Sequence, residues 1–187
     1  YVGLFYFLWH GEHGDSGIFD MQKILEEQGA EVAGSISQSG KYGPVGAMHW
    51  FAEPLYGYYY ANDEWVHRKH AELLTQANVD FLYFDVTNGY YYLNNALSVM
   101  KACHELNEQG FDAPQVVFYT HSGAENVVRG LYNDIYSKGL YEDTWFRIDG
   151  KPVIIAPYEA NINDFFTIKR EQWPNEETHQ NLSLIHI

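Results

Sequence analysis

Carboxylates, amides, imidazoles and aromatic rings recur in this sequence just after its apolar segments, where loops are expected to begin. The residues best suited to chemistry are His10, His49, Trp50, Glu53, Tyr59, Asp85, Asn88 and His121. Sugars require this mixture, because their hydroxyl groups need hydrogen-bond acceptors and donors while their C–H faces stack on flat rings. Phosphorylated or carboxylated ligands favour Arg and Lys instead. The residue types therefore predict a carbohydrate ligand.

Some of these residues have a second interpretation. His10 and His13 lie three apart and could ligate a metal, although no His-Glu-x-x-His motif or cysteine partner accompanies them. A metal-dependent hydrolase using these two residues and His121 stays open as an alternative. Asp85 closes an apolar strand, where a carboxylate can bind a ligand or accept hydrogen bonds from loop amides. In each of the runs 58–60 and 90–92 we expect one or two tyrosines to face a ligand and the rest to pack.

Strand-like and helix-like segments alternate along the chain, which is typical of an α/β protein with parallel strands. The apolar pattern predicts strands over five main segments: 3–9, 81–86, 116–120, 153–156 and 165–170. Helical spacing predicts helices over 18–28, from a cap at Asn62 to Asn78, from Leu93 to Gly110, and across 127–135. A Gly- and Ser-rich stretch over 31–47 is expected to form a long surface loop, and Asp149-Gly150 a tight turn.

Candidate functional residues after each strand favour a (β/α)8 TIM barrel, in which the chemistry lies at the carboxyl ends of the strands. A doubly wound open sheet normally carries a Gly-rich phosphate turn after its first strand, and residues 9–14 lack that spacing. A complete barrel needs roughly 250 residues, whereas this chain has 187. We therefore expect an N-terminal barrel fragment of about five strands over residues 1–173. Residues 174–187 are expected to be a polar tail ending in non-native read-through that resembles a translated sequencing adapter.

Composition excludes several classes of function. A hydrophobic fraction of 46% indicates a buried core, and a net charge of −14 disfavours nucleic acid and anionic lipid as partners. No apolar run approaches the roughly 20 residues that span a bilayer. The single cysteine, Cys103, cannot form an internal disulfide and is expected to be a buried, inert thiol. His70 lies on a helix face that we expect to pack in the core or an interface.

A family resemblance covers most of residues 2–173 in general pattern, and its most specific part is residues 49–88. This part resembles the endo-α-mannosidase-type glycoside hydrolases of family 99, and the related bacterial family 71/99-like proteins, in these segments: His49-Trp50-Phe51-Ala52-Glu53-Pro54, Gly57-Tyr58-Tyr59, Asn62-Asp63, the helix with His70, and Val79-Asp80-Phe81 leading to Phe84-Asp85. The chain departs from the family pattern at two positions. Asn78 stands where the family has Gly, and Glu64 where Pro is common.

The resemblance implies a (β/α)8 barrel that hydrolyses an α-linked, typically mannose-containing oligo- or polysaccharide without a cofactor. It also implies a secreted, periplasmic or cell-surface location and a sugar-binding role for His49, Trp50, Glu53 and Asp85. The family's catalytic pair of carboxylic acids lies late in the barrel, so we expect both acids beyond residue 187 and no activity in this stretch alone. A non-catalytic glycan-binding barrel is the alternative function.

Overall fold

The computed structural model describes residues 1–12, 17–30, 48–157, 160, 162 and 164–170. The chain divides into two compact units. The sheet unit comprises Tyr1–Leu8 and His67–Ile187, and the small unit comprises Trp9–Val66. The predicted loop over 31–47, His13 and the predicted tail lie outside the described residues.

Strands and helices alternate over residues 49–134, as the sequence pattern predicts, whereas three strands follow one another in the described residues of 147–169. In chain order the elements are β1 (Gly3–Tyr6), β2 (Phe19–Asp20), α1 (Met21–Gln28), β3 (His49–Trp50), α2 (Glu64–Gln76), β4 (Phe81–Val86), α3 (Leu93–Glu108), β5 (Gln115–Thr120), α4 (Ala124–Asp134), β6 (Arg147–Ile148), β7 (Lys151–Ile155) and β8 (Thr167–Lys169). Two short 3-10 helices, Tyr136–Lys138 and Glu142–Thr144, follow α4.

The sheet unit is built on five parallel strands that neighbour one another in chain order, β1-β4-β5-β7-β8. The short strand β6 pairs antiparallel with β7. Asp149 and Gly150 connect them with φ angles of 52° and 81°, as the predicted tight turn requires. The chain is thus a mixed α/β protein with a mostly parallel sheet. Among the described strands, β1, β6 and β8 each have one neighbour, so the five parallel strands form an open sheet that ends at β1 and β8.

Both faces of the sheet carry apolar side chains, as in parallel sheets covered on both sides. One face packs with α3 and α4 into the larger core, where Phe84, Phe118 and Ile154 are fully buried. The opposite face forms a smaller cluster: Phe81, Val117, Phe146, Val153 and Ile155. Because side chains alternate along a strand, Asp85 lies on this second face, beside its register partner Tyr119.

Two predicted helix starts are wrong. Asp63, and not Asn62, caps α2, because its Oδ1 accepts a hydrogen bond of 3.1 Å from the backbone N–H of Val66. Helix α1 begins at Met21 and not at residue 18, because Phe19 and Asp20 pair with β3 as a strand. Asp20 then caps α1 by accepting a 3.0 Å bond from the backbone N–H of Lys23. The predicted end of α2 is confirmed, since Asn78 has a left-handed φ of 56°.

Of two titratable side chains on the helices, Cys103 is buried as expected and His70 is partly buried. Cys103 is fully buried in α3, and burial with the nearby charge of Asp143 raises the pKa of its thiol to about 12. The thiol is therefore protonated and unreactive at neutral pH. His70 lies in α2, where its Nδ1 is 2.9 Å from the hydroxyl of Tyr6. Burial lowers the pKa of His70, which favours the neutral imidazole.

The hydroxyl of Tyr136 is a polar atom buried in the larger core. Its ring lies 4.7 Å from that of Trp145 and 4.8 Å from that of Phe166, and its hydroxyl has no hydrogen-bond partner among the described residues. Burial raises the pKa of this hydroxyl. We expect Tyr136→Phe to raise the free energy of unfolding by up to about 1 kcal/mol, because it removes an unsatisfied polar atom and keeps the ring. Urea unfolding measures the change.

The matched control for this substitution is Tyr91→Phe. The hydroxyl of Tyr91 donates a 2.7 Å hydrogen bond to Oδ2 of Asp134, so its removal should lower the free energy of unfolding by about 1 kcal/mol. A clear loss of stability in Tyr136→Phe would contradict the prediction, because it would mean that the hydroxyl is satisfied.

Candidate functional site

The carboxyl ends of β4 and β5 bring three of the predicted site residues together. Asp85 lies in β4, Asn88 in the loop after it, and His121 directly after β5. The two loops are joined by a 2.9 Å hydrogen bond from the backbone N–H of Ser122 to the carbonyl of Thr87. We call Asp85, Thr87, Asn88, Tyr90 and His121 the strand-end cluster. It lies at the carboxyl ends of the strands, where parallel α/β folds bind their ligands.

Asp85 is half-buried and organises the loop that follows it. Its Oδ1 accepts hydrogen bonds from the backbone N–H of Thr87 at 3.1 Å and from the Thr87 hydroxyl at 2.7 Å. The carboxylate therefore serves as a loop acceptor, one of its two anticipated roles. Gly89 completes the loop with a φ of +85°, and a Cβ there would lie 3.1 Å from the carbonyl oxygen of Ser122.

Asn88 connects the loop to two tyrosines, the exposed Tyr90 and the partly buried Tyr92. Its Nδ2 donates a 2.7 Å hydrogen bond to the hydroxyl of Tyr92, and its Oδ1 accepts one of 3.2 Å from the backbone N–H of Tyr90. Tyr90 is 64% exposed and meets the ring of Tyr92 edge to face at 4.8 Å. Tyr91 instead points its hydroxyl to Asp134. Tyr90 is thus the tyrosine of this run that offers a ring to a ligand.

The other five predicted site residues, His10, His49, Trp50, Glu53 and Tyr59, lie in the small unit. Trp50 is 4% exposed, and its Nε1 donates a 2.7 Å hydrogen bond to Oε1 of buried Glu12. The rings of Tyr58 and Tyr59 meet its indole edge to face at 5.6 and 5.0 Å. The expectation that Trp50 stacks on a sugar does not hold in this structure, because protein covers the indole. Burial also raises the pKa of Tyr59.

Glu53 takes part in a polar network with the first turn of α1. The ammonium of Lys23 donates to Oε2 of Glu53 at 3.0 Å and to the hydroxyl of Tyr58 at 2.8 Å. Tyr58 in turn donates a 2.6 Å hydrogen bond to Oδ2 of Asp20. This bond lowers the pKa of Asp20 and raises that of Tyr58. Three of these residues, Asp20, Lys23 and Tyr58, line an open cavity of about 490 Å³.

The two described histidines of the small unit, His10 and His49, pack against aromatic rings. His49 stacks on Phe19, its strand partner, at 5.4 Å and 29°. The ring of His10 meets that of Trp9 at 5.0 Å, and desolvation lowers the pKa of His10. The described residues contain no group of three or more His, Cys, Asp or Glu placed to hold a metal, and His13 lies outside them. No helix in the described part of the chain is long and apolar enough to cross a membrane.

Two members of these networks are not among the predicted site residues. Glu12 and Lys23 find their partners 38 and 30 residues further along the chain, at Trp50 and Glu53. The available signal for Glu12 is its position directly after the first apolar segment. Lys23 carries no comparable signal, since a lysine in a short amphipathic helix normally faces solvent.

Comparisons with protein-family models, with curated proteins and with solved structures give no match for this chain. The fold and the site define a class: an α/β protein with a mostly parallel sheet and an aromatic, amide- and carboxylate-bearing cluster at the strand ends. The functional argument therefore depends on the chemistry of these residues.

Proposed function

We propose that this chain is part of a (β/α)8 barrel of the glycoside hydrolase class, and that it binds an α-linked glycan through the strand-end cluster. The observation that carries the proposal is the grouping of Asp85, Asn88, Tyr90 and His121 at the carboxyl edge of two adjacent parallel strands. The strand order supports it, because successive parallel strands neighbour one another in a barrel.

The side chains of the cluster suit a neutral ligand rich in hydroxyl groups. Asp85 offers carboxylate oxygens as acceptors, while the amide of Asn88 and the ring of His121 offer both donors and acceptors. The exposed ring of Tyr90 provides a flat apolar surface beside them. The cluster contains no Lys or Arg, the side chains that an anionic ligand would favour.

The reaction and the sugar follow from the resemblance to family 99 enzymes. Hydrolysis needs two carboxylic acids, of which one protonates the leaving oxygen and the other assists attack at the anomeric carbon. We assign neither role to Asp85, whose Oδ1 is occupied by Thr87. In this proposal Asp85, Asn88 and His121 hold sugar hydroxyls, and mannose is the first sugar to test.

Substitution of Asp85 by Asn tests the proposal. The amide oxygen of Asn can still accept both bonds from Thr87, so the loop should keep its conformation. The ligand loses a charged acceptor, and hydrogen bonds to charged groups contribute about 1.5–3 kcal/mol. We therefore expect Asp85→Asn to weaken binding of α-linked manno-oligosaccharides at least about tenfold by calorimetric titration.

Asp112→Asn is the matched control. Asp112 is an exposed acid that precedes β5, so it lies near the amino end of that strand and not at the carboxyl end. The Asp112→Asn variant should bind as tightly as the parent chain. Equal affinity of Asp85→Asn and the parent chain would refute the assigned site. Failure of the parent chain to bind α-mannan, dextran and amylose oligosaccharides would refute the proposed ligand class.

A further inference from the structure

The start of α2 carries an exposed aromatic pair that the strand-end cluster does not use. Trp65 is 54% exposed, and its ring meets that of Tyr56 at 5.1 Å and 89°. Trp65 thus packs against Tyr56 while more than half of the residue remains accessible to solvent. The next residue, Val66, is 2% exposed and supplies the buried contact of this turn. Packing of α2 therefore does not require an indole at position 65.

Other large apolar side chains of the same small unit are also exposed. Phe51 is 90% exposed, Leu55 89% and Tyr60 52%. With Trp65 they follow one another along 51–65, a stretch that also contains a tight turn closed by a 2.9 Å hydrogen bond from Gly57 N–H to the carbonyl of Pro54. Exposed aromatic and aliphatic side chains concentrated in one segment are typical of an interaction surface.

The charge of the small unit restricts what can bind there. Residues 9–66 contain nine Asp and Glu, two Lys and no Arg. Of the two lysines, Lys23 already donates to Glu53 and Tyr58. Anionic ligands such as nucleic acid, phospholipid or a sulfated polymer would meet net repulsion. Flat rings flanked by carboxylates instead suit a neutral chain that alternates apolar faces with hydroxyl groups.

We propose that Trp65, oriented by Tyr56, forms a second glycan-binding surface in the small unit, where the indole stacks on a sugar ring of a neutral polysaccharide. This inference rests on the proposed function for the class of ligand, but it uses a different set of residues. A polysaccharide is long enough to contact a second surface. A short oligosaccharide occupies the strand-end cluster alone. The second surface should therefore increase retention on polymers more than affinity for short oligosaccharides.

Affinity electrophoresis through gels containing α-mannan, dextran or amylose tests the inference. On the polymer that retards the parent chain, we expect Trp65→Ala to weaken retardation about tenfold, and Trp65→Phe to retain most of it because a flat ring remains. Phe111→Ala is the matched control, since Phe111 is 57% exposed in the sheet unit. It should migrate like the parent chain. Circular dichroism checks that each variant is folded.

The variants separate this inference from the proposed function. Weak retardation of Trp65→Ala with unchanged binding of short oligosaccharides would support the second surface. Equal retardation of Trp65→Ala, Phe111→Ala and the parent chain would overturn it, even if Asp85→Asn loses affinity. If Asp85→Asn behaves like the parent chain while Trp65→Ala does not, the strand-end site fails and the second surface stands. Absence of retardation of the parent chain on all three polymers would overturn the second surface. An equal loss of retardation in Phe111→Ala and Trp65→Ala would overturn it as well.

Discussion

Alanine at position 11 is expected to lower the free energy of unfolding of the small unit by about 3 kcal/mol or more. Gly11 has a φ of +111°, which side-chain-bearing residues rarely adopt. A Cβ there would lie 2.6 Å from the backbone nitrogen of Ala61 and 2.8 Å from its Cα. Neither atom can move aside as a flexible side chain could, so the substitution combines backbone strain with a steric clash.

Gly57→Ala is the control that separates these two costs. Gly57 also has a positive φ, of +74°, but no atom lies within 4 Å of the Cβ that alanine would add. Gly57→Ala should therefore lower the free energy of unfolding only by the conformational cost of the positive φ, about 1 kcal/mol. Urea unfolding followed by hydrogen exchange of peptides from residues 9–66 measures both variants. Equal losses would show that the approach of residue 11 to Ala61 has no energetic consequence.

The contact of Gly11 with Ala61 matters because it positions the residues around Trp50. The backbone N–H of Glu12 donates to the carbonyl of Tyr59, and that of Ala61 donates to the carbonyl of Glu12, both at 2.9 Å. This pairing carries the Glu12 carboxylate to the indole of Trp50. A glycine that allows two backbone segments to approach closely therefore determines how Glu12 meets the buried indole of Trp50.

The sequence pattern predicts the sheet unit most successfully where apolar residues are regularly spaced. Strand β4 covers residues 81–86 as predicted, and α3 falls within the predicted 93–110. Strand β4 is a largely apolar run preceded by Asn78, and α3 is a long periodic segment ended by Gly110; both of these flanking residues have positive φ angles. Local periodicity and helix-end residues are sufficient there because the core contacts follow directly from the spacing.

The small unit is harder to predict because its contacts connect distant segments. Trp50 has the residue type of a sugar-stacking ring, but a carboxylate 38 positions earlier holds it in the interior. The strand β2 has two residues and exists only by pairing with β3, so no periodicity reveals it. At the strand ends, residue type and strand position together predict the grouping of Asp85, Asn88 and His121. They leave open which of its two anticipated roles Asp85 takes, and its bonds from Thr87 show that it supports its own loop.

Truncation of Phe84 in β4 is expected to lower the free energy of unfolding of the sheet unit by about 3–5 kcal/mol. Its side chain is fully buried on the helix-covered face, with the rings of Phe118 and Tyr6 at 5.4 and 5.8 Å. Phe84→Ala removes this ring from the centre of the larger core, and the β-strands around it cannot close the cavity. The size of the loss therefore reports how rigidly the sheet is packed.

Phe5→Ala is the matched control in the neighbouring strand β1. Phe5 is 43% exposed on the opposite face, where it meets Tyr119 edge to face at 5.7 Å, so its removal should cost about 1 kcal/mol. Guanidinium unfolding at equilibrium measures both variants. Losses of similar size would contradict the assignment of the larger core to the helix-covered face. Asp85 lies on the other face of β4, so folded Phe84→Ala should bind oligosaccharide with the parent affinity. This result would separate the stability of the sheet from ligand binding at the strand-end cluster.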